Sequence, residues 1–285
     1  VPLTPAAGGR DAVDADLLRR SGSAYLRRHE GSHLAAALPA PDLARYDASQ
    51  VAFASRAWTL KAEEEHRSAA VFAEIVAGCL HLGAPLDLVA TLARIVRDEI
   101  AHAALCLDLS VRFGAPPPTA APGRVRARLD ALGPDRERQA LVLLLFEGAV
   151  GETVSVGLFR AGRRGAREPC TRAALTAILR DEARHARACW HAAAELVPRC
   201  SAALREQLER DLSRSFGAFE QAAALPALRR LEAGQAVDPA LVELGVIPPE
   251  ARVEAFYQAI EALALPQLSL LGFDSRRAWE ERYRA

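Results

Sequence analysis

Residues 95–106 read IVRDEIAHAALC and residues 178–189 read ILRDEARHARAC, so Ile, Arg, Asp, Glu, His, Ala and Cys recur in register 83 residues apart. Each copy holds Glu-x-x-His: Glu99 with His102, and Glu182 with His185. At i and i+3 on a helix both side chains leave one face and can reach the same point. A single copy would read as a solvated polar pair. Two copies in matching context, each preceded by a stretch that offers a glutamate, point instead to four helices around two metal ions held by carboxylates.

The remaining ligands follow from helical phase and from the repeat. Glu63, Glu64 and Glu65 are consecutive, but only Glu65 shares its face with Trp58, Ala62, Ser68, Ala69, Phe72, Ile75, Val76 and Cys79. That stripe is uncharged, although Lys61 borders it, whereas Glu63 and Glu64 fall near Lys61, Arg56 and Arg67; Glu65 is expected to point inward. Aligning AEEEHRSAAVF (62–72) with AVGETVSVGLF (149–159) pairs Glu65 with Glu152, Ala62 with Ala149, Ser68 with Ser155 and Phe72 with Phe159. Glu152 is therefore the expected fourth glutamate, with Glu147 as the alternative.

Charge supports this set. Glu65, Glu99, Glu152 and Glu182 carry four negative charges, matching two divalent cations, while His102 and His185 bind as neutral imidazoles. Four inward carboxylates without a cation would repel or be forced to protonate. Oxygen-rich ligation with two imidazoles and no thiolate suits iron or manganese better than structural zinc.

The rest of the chain reads as all-α. Helices are expected at about Asp14–His29, Ser49–Leu82, Leu86–Phe113, Gln139–Arg160 and Thr171–Val197. A short one is expected at Val125–Leu132, and beyond Pro198 others run to about Leu225 and over Pro249–Leu265 and Asp274–Arg284. Gly83-Ala84-Pro85 and the GAPPP segment from Gly114 act as stops. No run of alternating β-branched residues argues for a sheet. The division expected is a helical extension over 1–50, a di-metal four-helix bundle over 51–200, and a C-terminal helical extension over 201–285 packed on the bundle.

Lysine plus arginine equals aspartate plus glutamate, 36 each, so neither nucleic acid nor an anionic membrane is expected as a partner. The longest clean apolar run, Ala140–Phe146, is far short of a membrane span. Five cysteines without a C-x-x-C pair suit a reduced, cytoplasmic setting.

With EEHRSAAVFAEIV, RDEIAH, VGETVSVGLF and RDEARH, residues 50–200 resemble the ferritin-like di-iron carboxylate superfamily. They are nearest in type to bacterial ferritin-like domain proteins and to aryl-amine N-oxygenases. The resemblance implies a ferritin-like bundle with a long crossover, with Glu65 and Glu152 each on a lone-glutamate helix. It also implies that Asp98 and Asp181 accept the non-ligating N–H of the histidines; the plainer alternative pairs these aspartates with Arg97 and Arg180. Departures are equally clear. Ile178 stands where the N-oxygenases carry a third histidine, and Tyr25, Tyr46, Tyr257 and Tyr283 all lie outside the bundle helices.

By this resemblance the chain is an O2-activating non-heme di-iron oxygenase or oxidase. It would carry Fe/Fe, with Mn/Fe as alternative, take electrons from an external donor, and oxidise an amine or C–H bond of a small organic substrate. A homodimer is a further expectation. The rivals are a ferroxidase or other iron-handling protein and a non-enzymatic helical protein with a structural metal pair. Cys106 and Cys189 read as buried packing residues, and His66 as pointing away from the ligands. Gly148, Gly151 and Gly157 admit two readings: close helix packing, or room beside Glu152 together with a local π-bulge.

Overall fold

The structure, a computed structural model, describes residues 38–114 and 132–284, and every regular element among them is helical. Four long helices lead. Helix α1 is Ala48–His81, α2 Leu86–Arg112, α3 Arg136–Gly165 and α4 Pro169–Leu196. Smaller helices follow: α5 Ala202–Ala223, α6 Leu225–Glu232, α7 Pro239–Glu243, α8 Pro249–Ala259, α9 Leu265–Leu270 and α10 Ser275–Glu280.

Local chemistry explains the boundaries. Asp47 and Gln50 form a capping box at the start of α1, each side chain bonding the other's backbone N–H. Gly83, at φ 65°, ends that helix in a left-handed turn that a side chain would strain. Asp135 caps α3, and Glu168 caps α4 ahead of Pro169. The expected Asp14–His29 helix, and Val125–Leu132 except its last residue, lie outside the described residues.

Two elements outrun the expectation. Helix α3 continues past Arg160 to Gly165 because small residues there admit the C-terminal segment: a Cβ on Gly165 would sit 2.5 Å from Val242, and one on Gly162 would sit 3.4 Å from Ile247. Likewise α8 continues through a π-helical stretch, Ile260–Ala264, into α9 rather than stopping at Leu265. Among the described residues α3 alone is long and apolar enough to cross a membrane by length and composition, and 67% of its most apolar window is buried within the fold.

The core consists of two apolar clusters, and the order in which each helix visits them gives its direction. Helix α1 passes from Trp58 and Ala62 in one cluster to Phe72 and Ile75 in the other, and α4 passes the same way from Leu175 and Ile178 to Cys189 and Ala192. Helix α2 runs oppositely, from Leu92 and Ile95 to Leu105 and Leu109, as does α3 from Leu144 and Val150 to Phe159. Thus α1 is antiparallel to α2 and α3 to α4, while α2 and α3 run in one direction. The chain therefore enters α3 at the opposite end from where α2 leaves, a distance of about 40 Å for a helix of this length.

Phe216, Phe256, Leu268 and Trp279 belong to the same cluster as Phe72 and Leu144, so α5 and α8–α10 share the core of the long helices. Glu220 on α5 joins these added helices to one another. It accepts hydrogen bonds from Tyr257 on α8, from Tyr283, and from Arg282, whose guanidinium also lies 3.8 Å from the Trp279 ring centre.

Candidate metal centre

Between the two apolar clusters lies a layer of charge. Glu65 falls between Ala62 and Phe72 on α1, Glu99 and His102 between Ile95 and Leu105 on α2, and Glu182 and His185 between Ile178 and Cys189 on α4. Glu152 lies on α3, seven residues before Phe159. None of the six is more than 7% exposed. Glu63 and Glu64 are exposed, as the helical phase of α1 predicts.

The ligand atoms converge in two groups. One oxygen or nitrogen from each of Glu65, Glu99, His102 and Glu182 lies within 4.8 Å of the others, and the same holds for Glu99, Glu152, Glu182 and His185. Glu99 and Glu182 belong to both. Glu147, the alternative to Glu152, belongs to neither. His102 Nδ1 lies 3.2 Å from Glu182 Oε1 and 3.6 Å from Glu65 Oε2; His185 Nδ1 lies 2.9 Å from Glu99 Oε1 and 3.6 Å from Glu152 Oε2.

Despite this proximity, Glu99 Oε1, His102 Nδ1, Glu152 Oε2, Glu182 Oε1 and His185 Nδ1 are buried without a hydrogen-bond partner. Buried polar atoms are rarely left so, and here all five face a common centre. They lie close enough to one another to hold a cation between them. The donor set therefore fits a pair of metal ions.

Each imidazole is aligned from its far side. His102 Nε2 is 3.4 Å from Asp181 Oδ2, and His185 Nε2 is 3.4 Å from Asp98 Oδ2. The partnership is crossed: the aspartate of each repeat serves the histidine of the other. Asp181 also accepts from Arg180 Nε at 3.2 Å and from Arg184 at 2.5 Å, and Arg184 lies 3.8 Å from Asp98. Histidine alignment and arginine pairing thus hold together rather than as alternatives. Arg184 is the residue that sequence reasoning passed over, because its counterpart in the first repeat is Ala101 and the repeat cannot mark it.

Burial and mutual repulsion shape the protonation of the cluster. Burial, reinforced by the Glu182 charge, pushes Glu99 up to about 8, and burial with neighbouring carboxylates raises Glu152 and Glu182 as well. Burial also pushes Glu65 up, but the neighbouring His102 outweighs it and holds that carboxylate low. For His185 burial works downward, yet Asp98, Glu152 and Glu99 lift it to about 12; His102 is raised by Asp181, Glu182 and Glu65.

The helix carrying Glu152 is locally widened. Leu143–Gly151 is π-helical and ends at that glutamate. The glycines there serve close packing rather than open space: a Cβ on Gly148 would meet Cys189 Sγ at 3.2 Å, and one on Gly157 would meet the Ala255 carbonyl oxygen at 3.1 Å. Trp190 Nε1 donates to Thr153 Oγ1, which itself donates to the Ala149 carbonyl, closing this side. Cys106 and Cys189 are buried and free, and burial raises both thiols well above their usual range, as suits packing residues.

Comparison of the chain with family models, with curated proteins and with solved structures finds no match in any of the three.

Proposed function

We propose that this chain is a ferritin-like di-metal carboxylate protein, and that its activity is O2-dependent oxidation of a small organic substrate at a di-iron centre. The observation carrying the proposal is the sharing of Glu99 and Glu182 between two four-residue ligand groups. Shared carboxylates suit two neighbouring ions, with Glu65 and His102 completing one site and Glu152 and His185 the other. The helix directions support the ferritin-like reading, since parallel α2 and α3 require the long crossover of that architecture.

Oxygen-rich ligation with one imidazole per ion favours iron, with Mn/Fe as the alternative. Bound iron would supply reduction of O2, drawing electrons from an external donor. The chain's own residues supply the setting. Asp98 and Asp181 hold the imidazoles with Nδ1 inward and keep a proton on Nε2. Arg184 anchors both aspartates, and Phe72, Ile95 and Val150 belong to the apolar surroundings that limit water. Glu65, kept ionised by His102, is the carboxylate readiest to accept a cation.

Closure of the site favours a second reading, a ferroxidase that takes iron as cargo, since six ligands at 7% exposure or less leave little surface for a bulky substrate. One experiment separates the two: anaerobic Fe(II) loading, a pulse of O2, and parallel measurement of metal content and visible absorption. About two irons per chain with rapid O2 uptake and a transient band is the outcome expected of the oxygenase. Continued accumulation of ferric iron would establish storage, and absence of bound iron would sink both.

A further inference from the structure

The two groups of ligand atoms come from a repeat, yet their surroundings are not alike. His102, grouped with Glu65, is aligned by Asp181; His185, grouped with Glu152, is aligned by Asp98. Both contacts measure 3.4 Å, so the difference lies one bond further out. Asp181 Oδ1 accepts from Arg184 at 2.5 Å and from Arg180 Nε at 3.2 Å. Asp98 has Arg184 at 3.8 Å and Arg97 at 4.0 Å, both beyond hydrogen-bond distance. The Asp181 side chain is 4% exposed and that of Asp98 17%, so water competes for Asp98 far more than for Asp181. The sequence holds the cause: Arg184 follows Asp181 by three residues, whereas Ala101 stands at the matching place after Asp98.

A histidine binds an ion best when its ring is already turned toward it, because the ordering cost is then met before binding. An aspartate closed to water and bonded by two guanidinium groups holds its imidazole more firmly than one that can exchange the ring N–H for water. The arginines also draw charge from Asp181, which makes His102 a weaker donor. That opposing effect is the smaller one. The Arg184 side chain is 46% exposed and that of Arg180 66%, so solvent screens both charges.

We propose that Arg184 makes the two metal positions unequal: the Glu65–His102 position takes up the first ion and holds it more tightly than the Glu152–His185 position holds the second. Arg184 is a positioning residue in this, acting through Asp181 without touching an ion. The inference rests on the di-metal reading above and is independent of the oxygenase one.

The test is calorimetric titration of Mn(II) into the metal-free protein, with electron paramagnetic resonance separating lone from paired ions. Wild type is expected to bind two ions in steps about tenfold or more apart. Glu152→Gln should keep the tight step and Glu65→Gln should lose it. Arg184→Ala should weaken the tight step until the gap closes, at unchanged helix content. Arg184→Lys, whose ammonium can still bond Asp181, should restore most of the gap. Equal affinities in the wild type, survival of the tight step in Glu65→Gln, or an unchanged gap in Arg184→Ala overturns the inference and leaves the metal pair standing. Should Arg184→Ala not fold, the two glutamate variants decide. Unequal steps in a protein that consumes no O2 after Fe(II) loading would leave the inference standing and defeat the oxygenase reading alone. No bound Mn(II) at all would sink the di-metal reading and the inference with it.

Discussion

His102 and His185 each turn Nδ1 toward the carboxylates and Nε2 toward an aspartate on the facing helix. Removing that aspartate frees the ring and lowers its basicity. Asp181→Asn is therefore expected to weaken divalent-metal affinity by about 10–100-fold with little loss of helix content, read by chelator competition and circular dichroism. Protonation yields a second expectation at this scale. Glu99 rises to about 8 and His185 to about 12, so the folded metal-free protein binds more protons than the unfolded chain across neutral pH. His185 then contributes stability that is full below its unfolded value and fades as pH climbs toward its folded one. An ionised Glu99 removes stability over the same direction of change. Glu65, held low, is ionised throughout and adds no slope there. The melting temperature of the metal-free protein should thus fall from about pH 6 to about pH 9, whereas metal loading should release protons and reverse or flatten the slope. Calorimetry with and without Mn(II) measures both.

Among the elements, α3 departs most from an ordinary helix. Its π-helical stretch Leu143–Gly151 contains Gly148, which lies so close to Cys189 of α4 that even a Cβ there would sit 3.2 Å from the sulfur. Gly148→Leu is expected to cost about 1–3 kcal/mol by overpacking, and Cys189→Ala to restore part of it, in urea denaturation of the single and double variants. The long helices themselves were legible in the sequence because their signals are local: the Gly-Ala-Pro and GAPPP stops and a 3.6-residue stripe through Glu65. The extra turn of α3 beyond Arg160 and the continuation of α8 past Leu265 were not, since both depend on segments far away in the chain. The clustering of the six Glu and His residues was legible for a different reason, namely that a duplicated motif reports which residues face one another. That signal fails wherever the copies differ, which is why Arg184 and the crossed aspartate pairing emerged only in three dimensions.

Across the C-terminal third of the molecule, Glu220 ties the added helices to one another through Tyr257, Arg282 and Tyr283. Burial raises this carboxyl, but the bonds from Arg282 and the two tyrosines outweigh it and hold it below the usual range. A depressed carboxylate contributes stability that is full above its unfolded value and is lost as pH falls through its folded one. Glu220→Gln should therefore lower stability at neutral pH by about 2–3 kcal/mol and make acid unfolding less steep than in the wild type, as measured by urea titration over the acidic range. The crossed pairs of Asp98 with His185 and Asp181 with His102 carry a different consequence. A hairpin bearing only Glu65, Asp98, Glu99 and His102 would own an imidazole with nothing to steady it and an aspartate with nothing to steady. Two such hairpins, related by a two-fold axis, would complete each other, so neither half of the chain aligns its own histidine without the other.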